Sequence, residues 1–222
     1  MLHMFYHALN RGVDKRTIFL DTQDYARFVH DMFEFNTTTP AANTHRSRNH
    51  MFDLRSRTCG SEKLVDIHGW CLMHNHYHLL LTERAEHGIS LFLRKLNVGY
   101  AKYFNERYKR SGTLFQGRTK KILMDNEAHF LHILNYIHFN PLDTYEAAHE
   151  WRTLQISNAT GALEYLMGYK WSSYLDYIGT KNFPLILTTN VFQEVFNHKY
   201  KEQVVSYLQD IQNTDLDLRI LE

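Results

Sequence analysis

Cysteine is nearly absent: only Cys59 and Cys71 occur in 222 residues, too few for a fold built on disulfides. No signal-peptide pattern precedes them, so a reducing, cytoplasmic setting is expected. No apolar run approaches the roughly 20 residues that a membrane-spanning helix needs, and no membrane partner is expected. A marked charge of either sign is also missing. The formal net charge is +1, which by itself selects no class of partner.

What is present is apolar and aromatic. At 44% hydrophobic and 14% aromatic residues the chain has enough to bury a core, and disorder throughout is excluded. One domain over residues 1–180, followed by a helical appendage over 181–222 with Val204 and Leu208 available for docking, is the economical division. Along the chain the charge separates. Residues 94–121 carry nine Lys or Arg against the single acid Glu106, whereas residues 188–222 carry three basic and six acidic residues.

In chain order, residues 3–10 read as a strand ending in the turn Arg11-Gly12. Asp21 is a helix N-cap, and Tyr25, Phe28, Val29 and Met32 follow at helical spacing. Residues 36–61 lack periodicity and set four arginines against Asp53, the pattern of a long basic loop. Residues 62–82 hold two apolar runs hinged at His74 and Asn75, a β-hairpin. Side chains two apart on a strand stand side by side, roughly 6.5 Å apart, so His76 and His78 project together while Tyr77 and Leu79 point the other way. Among 15 histidines about one such triplet arises by chance; its weight comes from the apolar strand around it and from what lies downstream.

Residues 88–110 form an amphipathic helix with Ile89, Leu93, Leu96, Tyr100, Tyr103 and Phe104 inward. Residues 113–124 read as a further strand. Arg94, Lys95, Lys102, Lys109 and Arg110 on the first, with Arg118, Lys120 and Lys121 on the second, make a groove for a polyanion, against the plainer reading of a solvated charged face. Residues 126–139 are a second helix, with Phe130, Leu134 and Ile137 on one stripe and His129, His132 and Tyr136 on the next. Pro141 disfavours a helical conformation at Asn140, which therefore ends the helix.

These motifs carry a resemblance. His-Tyr-His after Leu-Met-His-Asn, Gly-Thr-Leu-Phe-Gln-Gly-Arg at 112–118, Tyr-Ile-His-Phe-Asn-Pro at 136–141 and Trp-Ser-Ser-Tyr at 171–174 stand in one order. Together they resemble a single-tyrosine HUH transposase of the insertion-sequence or REP-associated type. The resemblance implies an α+β fold, an antiparallel sheet with helices packed on one face in the ferredoxin or RRM-like manner. It implies His76, His78 and Asn140 as ligands of a divalent metal, Mg²⁺ or Mn²⁺ with Zn²⁺ also acceptable to the histidines, and Tyr136 as the nucleophile. Single-stranded or hairpin DNA is the implied partner, cut and rejoined through a 5′-phosphotyrosine by a monomer or homodimer. His74 stands where the family has proline and is either a turn residue or an extra imidazole; His132 is a further candidate. The alternatives are a domesticated protein that binds REP-type hairpins with little or no transposition, and a metal-dependent phosphoester hydrolase that dispenses with the tyrosine.

Overall fold

Alternating side chains build β1 (Phe5–Arg11) and the hairpin β2 (Val65–Met73) and β3 (His76–Glu83), and a short β4 (Lys120–Leu123) completes one antiparallel sheet. The structure, a computed structural model, describes residues 4–39, 62–153 and 156–210; of the basic loop expected over 36–61, residues 40–61 lie outside the described part. Helix α1 (Thr22–Glu34) links β1 to β2, and α2 (Gly88–Arg107) links β3 to β4. The sheet order is β2-β3-β1-β4, the arrangement of the ferredoxin-like β-α-β-β-α-β unit. The expected α+β class therefore holds, and the His76–His78 strand is interior. The expected cap is also present: Asp21 Oδ1 accepts from the Gln23 and Asp24 amides at 2.9 and 3.1 Å, satisfying donors that the first helical turn leaves open.

The helices do not all lie on one face. α1 and α2 pack on Ala8, Ile67, Leu72, Tyr77, Leu79 and Leu81. The opposite face, with Phe5, Cys71, Met73 and Leu80, is covered by α3 (Glu127–Phe139) and by the chain that follows. The physical reason is legible in β2 and β3. Residues 70–73 of β2 and 79–81 of β3 are apolar at consecutive rather than alternate positions, the pattern of strands buried on both sides. α3 comes close because β2 offers no side chain at Gly69: a Cβ there would lie 2.7 Å from Leu134 Cδ1.

The rest of the second layer is α4 (Ala159–Gly168), α5 (Tyr174–Tyr177), α6 (Asn190–Val195) and α7 (Tyr200–Asp210). The C-terminal helices dock on this layer through residues that include the expected Val204 and Leu208. Phe192, Phe196, Tyr200, Val204 and Leu208 are buried in the same core as α3. Residues 171–173 lie along the outer edge of β2, where the Leu72 amide donates to Trp171 O and the Ser173 amide to Trp70 O, at 2.9 and 3.0 Å. An edge that would otherwise invite pairing is thereby closed.

The strand expected over 113–124 is shorter than its apolar pattern suggested. Residues 113–119 instead wrap the end of β1: the Val13 amide donates to Leu114 O and the Gln116 amide to Arg11 O, while Leu114 and Phe115 enter the first core. Gly117, at φ +68°, turns the chain through a left-handed conformation suited to glycine.

Candidate active site

β3 presents His76 and His78 on the face that α3 covers, their ring centroids 4.9 Å apart. Beside β3 runs β1, whose His7 ring lies edge to edge with that of His78, the centroids 5.1 Å apart and the planes 14° from parallel, with His7 Nε2 and His78 Nδ1 2.9 Å apart in a hydrogen bond. α3 sets Tyr136 edge-on to both rings, 5.8 Å from His78 and 5.7 Å from His7. Pro141 stops α3, and Asn140 opens the 3-10 turn Asn140–Thr144 that follows. The Asn140 amide nitrogen donates to Tyr136 O at 2.8 Å, its side chain lies close enough to His76 to act on that ring's charge, and His76 Nδ1 is hydrogen-bonded to Asn75 Oδ1 at 2.6 Å. His76, His78, Tyr136 and Asn140 thus meet in one buried cluster.

Two arginines join them. Arg11 is the direct cross-strand neighbour of His76. Arg152 pairs with Asp143, donates to Asn140 Oδ1 at 2.9 Å, stands 5.6 Å from the centre of the Tyr136 ring and is hydrogen-bonded to the Tyr136 side chain. A guanidinium has five donors in a fixed fork and keeps its charge, so it can serve these oxygens together.

Burial decides the charge state of the histidines. It is the largest cause that carries His76 down to about 3, with the charges of Arg11, His74 and Arg152 acting in the same direction and the Asn140 side chain opposing them. His78 lies well below the ordinary histidine value, again through burial first and then through His76 and His7. Both rings are neutral at pH 7 and keep the lone pair that a metal requires. Among the described residues His78 Nε2 is buried without a hydrogen-bond partner, which leaves a donor atom suited to a cation. No group of three or more His, Cys, Asp or Glu side chains among the described residues is arranged to hold a metal, so an ion at this pair would draw its third protein donor from an amide such as that of Asn140.

The remaining sequence candidates lie elsewhere. His74 is exposed at the β2–β3 turn, where its carbonyl accepts from the Ile18 and Phe19 amides; the turn interrupts the alternation that would have aligned it with His76. His132 faces α7, its ring 5.8 Å from that of Tyr207. The basic residues do not line one groove. α2 packs on the sheet face opposite the histidines, so Arg94, Lys102 and Lys109, exposed on and just after it, are separated from them by the sheet. Lys95 Nζ is committed to Thr37 O and Thr39 O at 2.6 and 2.9 Å, and Arg110 to Asn105 and Thr113. On β4, Lys121 shares the face of Ala8 and reaches Ser90 on α2, whereas Lys120 is opposite Leu9, itself opposite His78, and shares the histidine face. Arg118 is exposed in the turn before β4.

Sequence reasoning missed His7, Arg11 and Arg152. The first two stand at positions that alternation on β1 places on one face, but only the β1–β3 register reveals what they adjoin. Nothing in the aperiodic stretch around Arg152 marks it.

Among the described residues no helix is long and apolar enough to cross a membrane. No curated protein matches the chain. Among solved structures, one described as "Structure of the REP associates tyrosine transposase bound to a REP hairpin" is similar at 16% identity and a TM-score of 0.48, over 85% of this chain and 87% of that one. A family model described as "Transposase IS200 like" matches residues 28–140, just over half of the chain and the span that contains His76, His78, Tyr136 and Asn140. By that match the chain belongs to the IS200-like transposase family.

Proposed function

We propose that this chain is a DNA strand transferase that cuts and rejoins single-stranded or hairpin DNA through a phosphotyrosine at Tyr136. One observation carries the reading: the ring of Tyr136 is packed against His78, and the His76–Asn140 pair lies in the same cluster. His76, His78 and the Asn140 amide would hold Mg²⁺ or Mn²⁺, with Zn²⁺ the alternative, and the ion would polarise the phosphoryl group under attack.

The chain's own residues supply the rest. A phenol with an ordinary pKa of about 10 is a weak nucleophile at neutral pH, so it needs positioning and a nearby positive charge. Packing against His7, His78 and Trp151 fixes the Tyr136 ring, and Arg152 places a cation at its side chain. In the step itself the Tyr136 oxygen bonds to phosphorus and its proton passes to solvent. The bond from phosphorus to the 3′ oxygen breaks, and that oxygen takes a proton to leave as a 3′-hydroxyl. The phosphodiester energy is kept in the new ester, so rejoining by a later 3′-hydroxyl needs no ATP. Arg11 and Lys120 share the histidine face and would be the residues to meet the DNA backbone.

The test is the product chemistry of a hairpin oligonucleotide incubated with the protein and Mn²⁺. Expected are a strand with a free 3′-hydroxyl and a protein-bound 5′ strand, neither formed by Tyr136→Phe. A freely diffusing 5′-phosphate product, formed equally by Tyr136→Phe, would instead favour a hydrolase.

A further inference from the structure

The site has a third histidine that stands outside the family motif and to which the proposed reaction assigns only packing against Tyr136. His7 is fully buried, lies on β1 rather than on the motif strand, and has Nε2 2.9 Å from Nδ1 of His78 with the two rings nearly parallel at 14°. We propose that His7 is a positioning residue that selects the tautomer and orientation of His78, so that the Nε2 lone pair of His78 is the one offered to a metal. This rests on the reading of His78 as a metal ligand.

A neutral imidazole carries one proton, and its two nitrogens therefore have opposite roles. In the His7–His78 hydrogen bond one ring must donate and the other accept. If His78 donates from Nδ1, its Nε2 is left as an acceptor. That atom is buried and has no hydrogen-bond partner among the described residues. The neutral His7 ring then carries its own proton on Nδ1, so the cost of a buried N–H does not by itself choose the direction of the bond; the metal does, because only a bare His78 Nε2 can bind it. If the roles were reversed, His78 would carry its proton on Nε2 and could not bind a metal through it. The same bond restrains the ring: Tyr136 closes one side edge-on, His76 another, and the hydrogen-bonded His7 ring a third. Outer partners of this kind typically change metal affinity by about 10- to 100-fold when removed.

The experiment is Mn²⁺ titration by calorimetry on the full chain without DNA, comparing wild type with His78→Ala, His7→Phe and His7→Gln. His7→Phe keeps a flat ring but removes the acceptor; His7→Gln retains an acceptor oxygen. The expected order is wild-type affinity, a loss of about 10- to 100-fold in His7→Phe, partial recovery in His7→Gln, and no detectable binding in His78→Ala. Undiminished Mn²⁺ affinity in His7→Phe with binding lost in His78→Ala overturns the role of His7 alone. Undiminished binding in His78→Ala removes the metal ligand itself, and the proposal with it. Because His7 is buried and a variant can fail to fold, the wild-type protein supplies an independent readout. Imidazole ¹⁵N spectra of the metal-free chain, assigned with His78→Ala, should show His78 protonated at Nδ1 and bare at Nε2; the opposite tautomer overturns the proposal.

Discussion

At the scale of single residues, what was legible in the sequence is what is local along the chain. His76 and His78 are two positions apart on one strand, Tyr136 and Asn140 are four apart around the end of one helix, and strand or helix geometry alone brings each pair together. Only the family motif could join the two pairs, since β3 and α3 are distant in sequence. His7, Arg11 and Arg152 needed more than local geometry, because a neighbour across a ladder is set by register and a neighbour across a layer by packing. His132 shows the opposite failure: its spacing from Tyr136 is right, but α7 occupies that side of α3. The position of Arg152 carries an expected outcome. Arg152→Ala should lower the single-turnover cleavage rate by about 10²- to 10³-fold, the usual size of a lost charge-stabilising donor, and Arg152→Lys should recover part of it. Affinity for uncut hairpin DNA, read by fluorescence anisotropy, should change far less. An equal loss in binding and rate would make Arg152 a DNA anchor instead.

At the scale of elements, hydrophobic period identified the helices and the hairpin well, and it failed where one apolar stretch served two purposes. Residues 113–119 look like a strand because Leu114 and Phe115 are buried, yet their backbone groups bond to the end of β1. Layering was similarly hidden: the continuous apolar run of β2 already implied two buried faces, but the family resemblance drew attention to one. Trp-Ser-Ser-Tyr acquires a physical meaning here. Ser173 Oγ accepts from the Trp70 amide at 2.9 Å and bonds His138 Nε2 at 2.7 Å, while His138 Nδ1 is bonded to the Tyr200 hydroxyl at 2.8 Å. One hydroxyl thus ties the β2 edge to α3, and through His138 to α7. Ser173→Ala leaves a buried amide and a buried imidazole nitrogen with one partner fewer, and should cost about 1–3 kcal/mol of stability. Urea denaturation would measure the loss, and Mn²⁺ affinity measured under native conditions should be unaffected.

At the scale of the whole molecule, a net charge of +1 concealed a basic middle, but that middle is not a single surface. Some of its cations are internal struts, Lys95 among them; others cover α2 on the far side of the sheet from the histidines. The two groups should separate in a salt titration of hairpin-DNA binding. Affinity should fall steeply with salt. Replacing Arg11 and Lys120 together should reduce the slope of log affinity against log salt by about 0.7–0.9 for each phosphate no longer neutralised, and should also slow cleavage. Replacing Arg94 and Lys102 together should leave the rate of cleavage of bound DNA unchanged whatever it does to affinity. Lys95→Ala should lower stability rather than DNA affinity, because its ammonium is spent on backbone carbonyls.

The central claim is that Tyr136, held between His7, His78 and Arg152, is the nucleophile, and covalent capture addresses it directly. The protein is incubated with a labelled hairpin oligonucleotide and Mn²⁺, denatured, digested and mapped by mass spectrometry. The predicted result is a single 5′-phosphotyrosine adduct on the peptide containing Tyr136, absent from Tyr136→Phe, which should still fold and bind the hairpin. DNA attached to Tyr103, Tyr145 or any other tyrosine, or an adduct that persists in Tyr136→Phe, would contradict it.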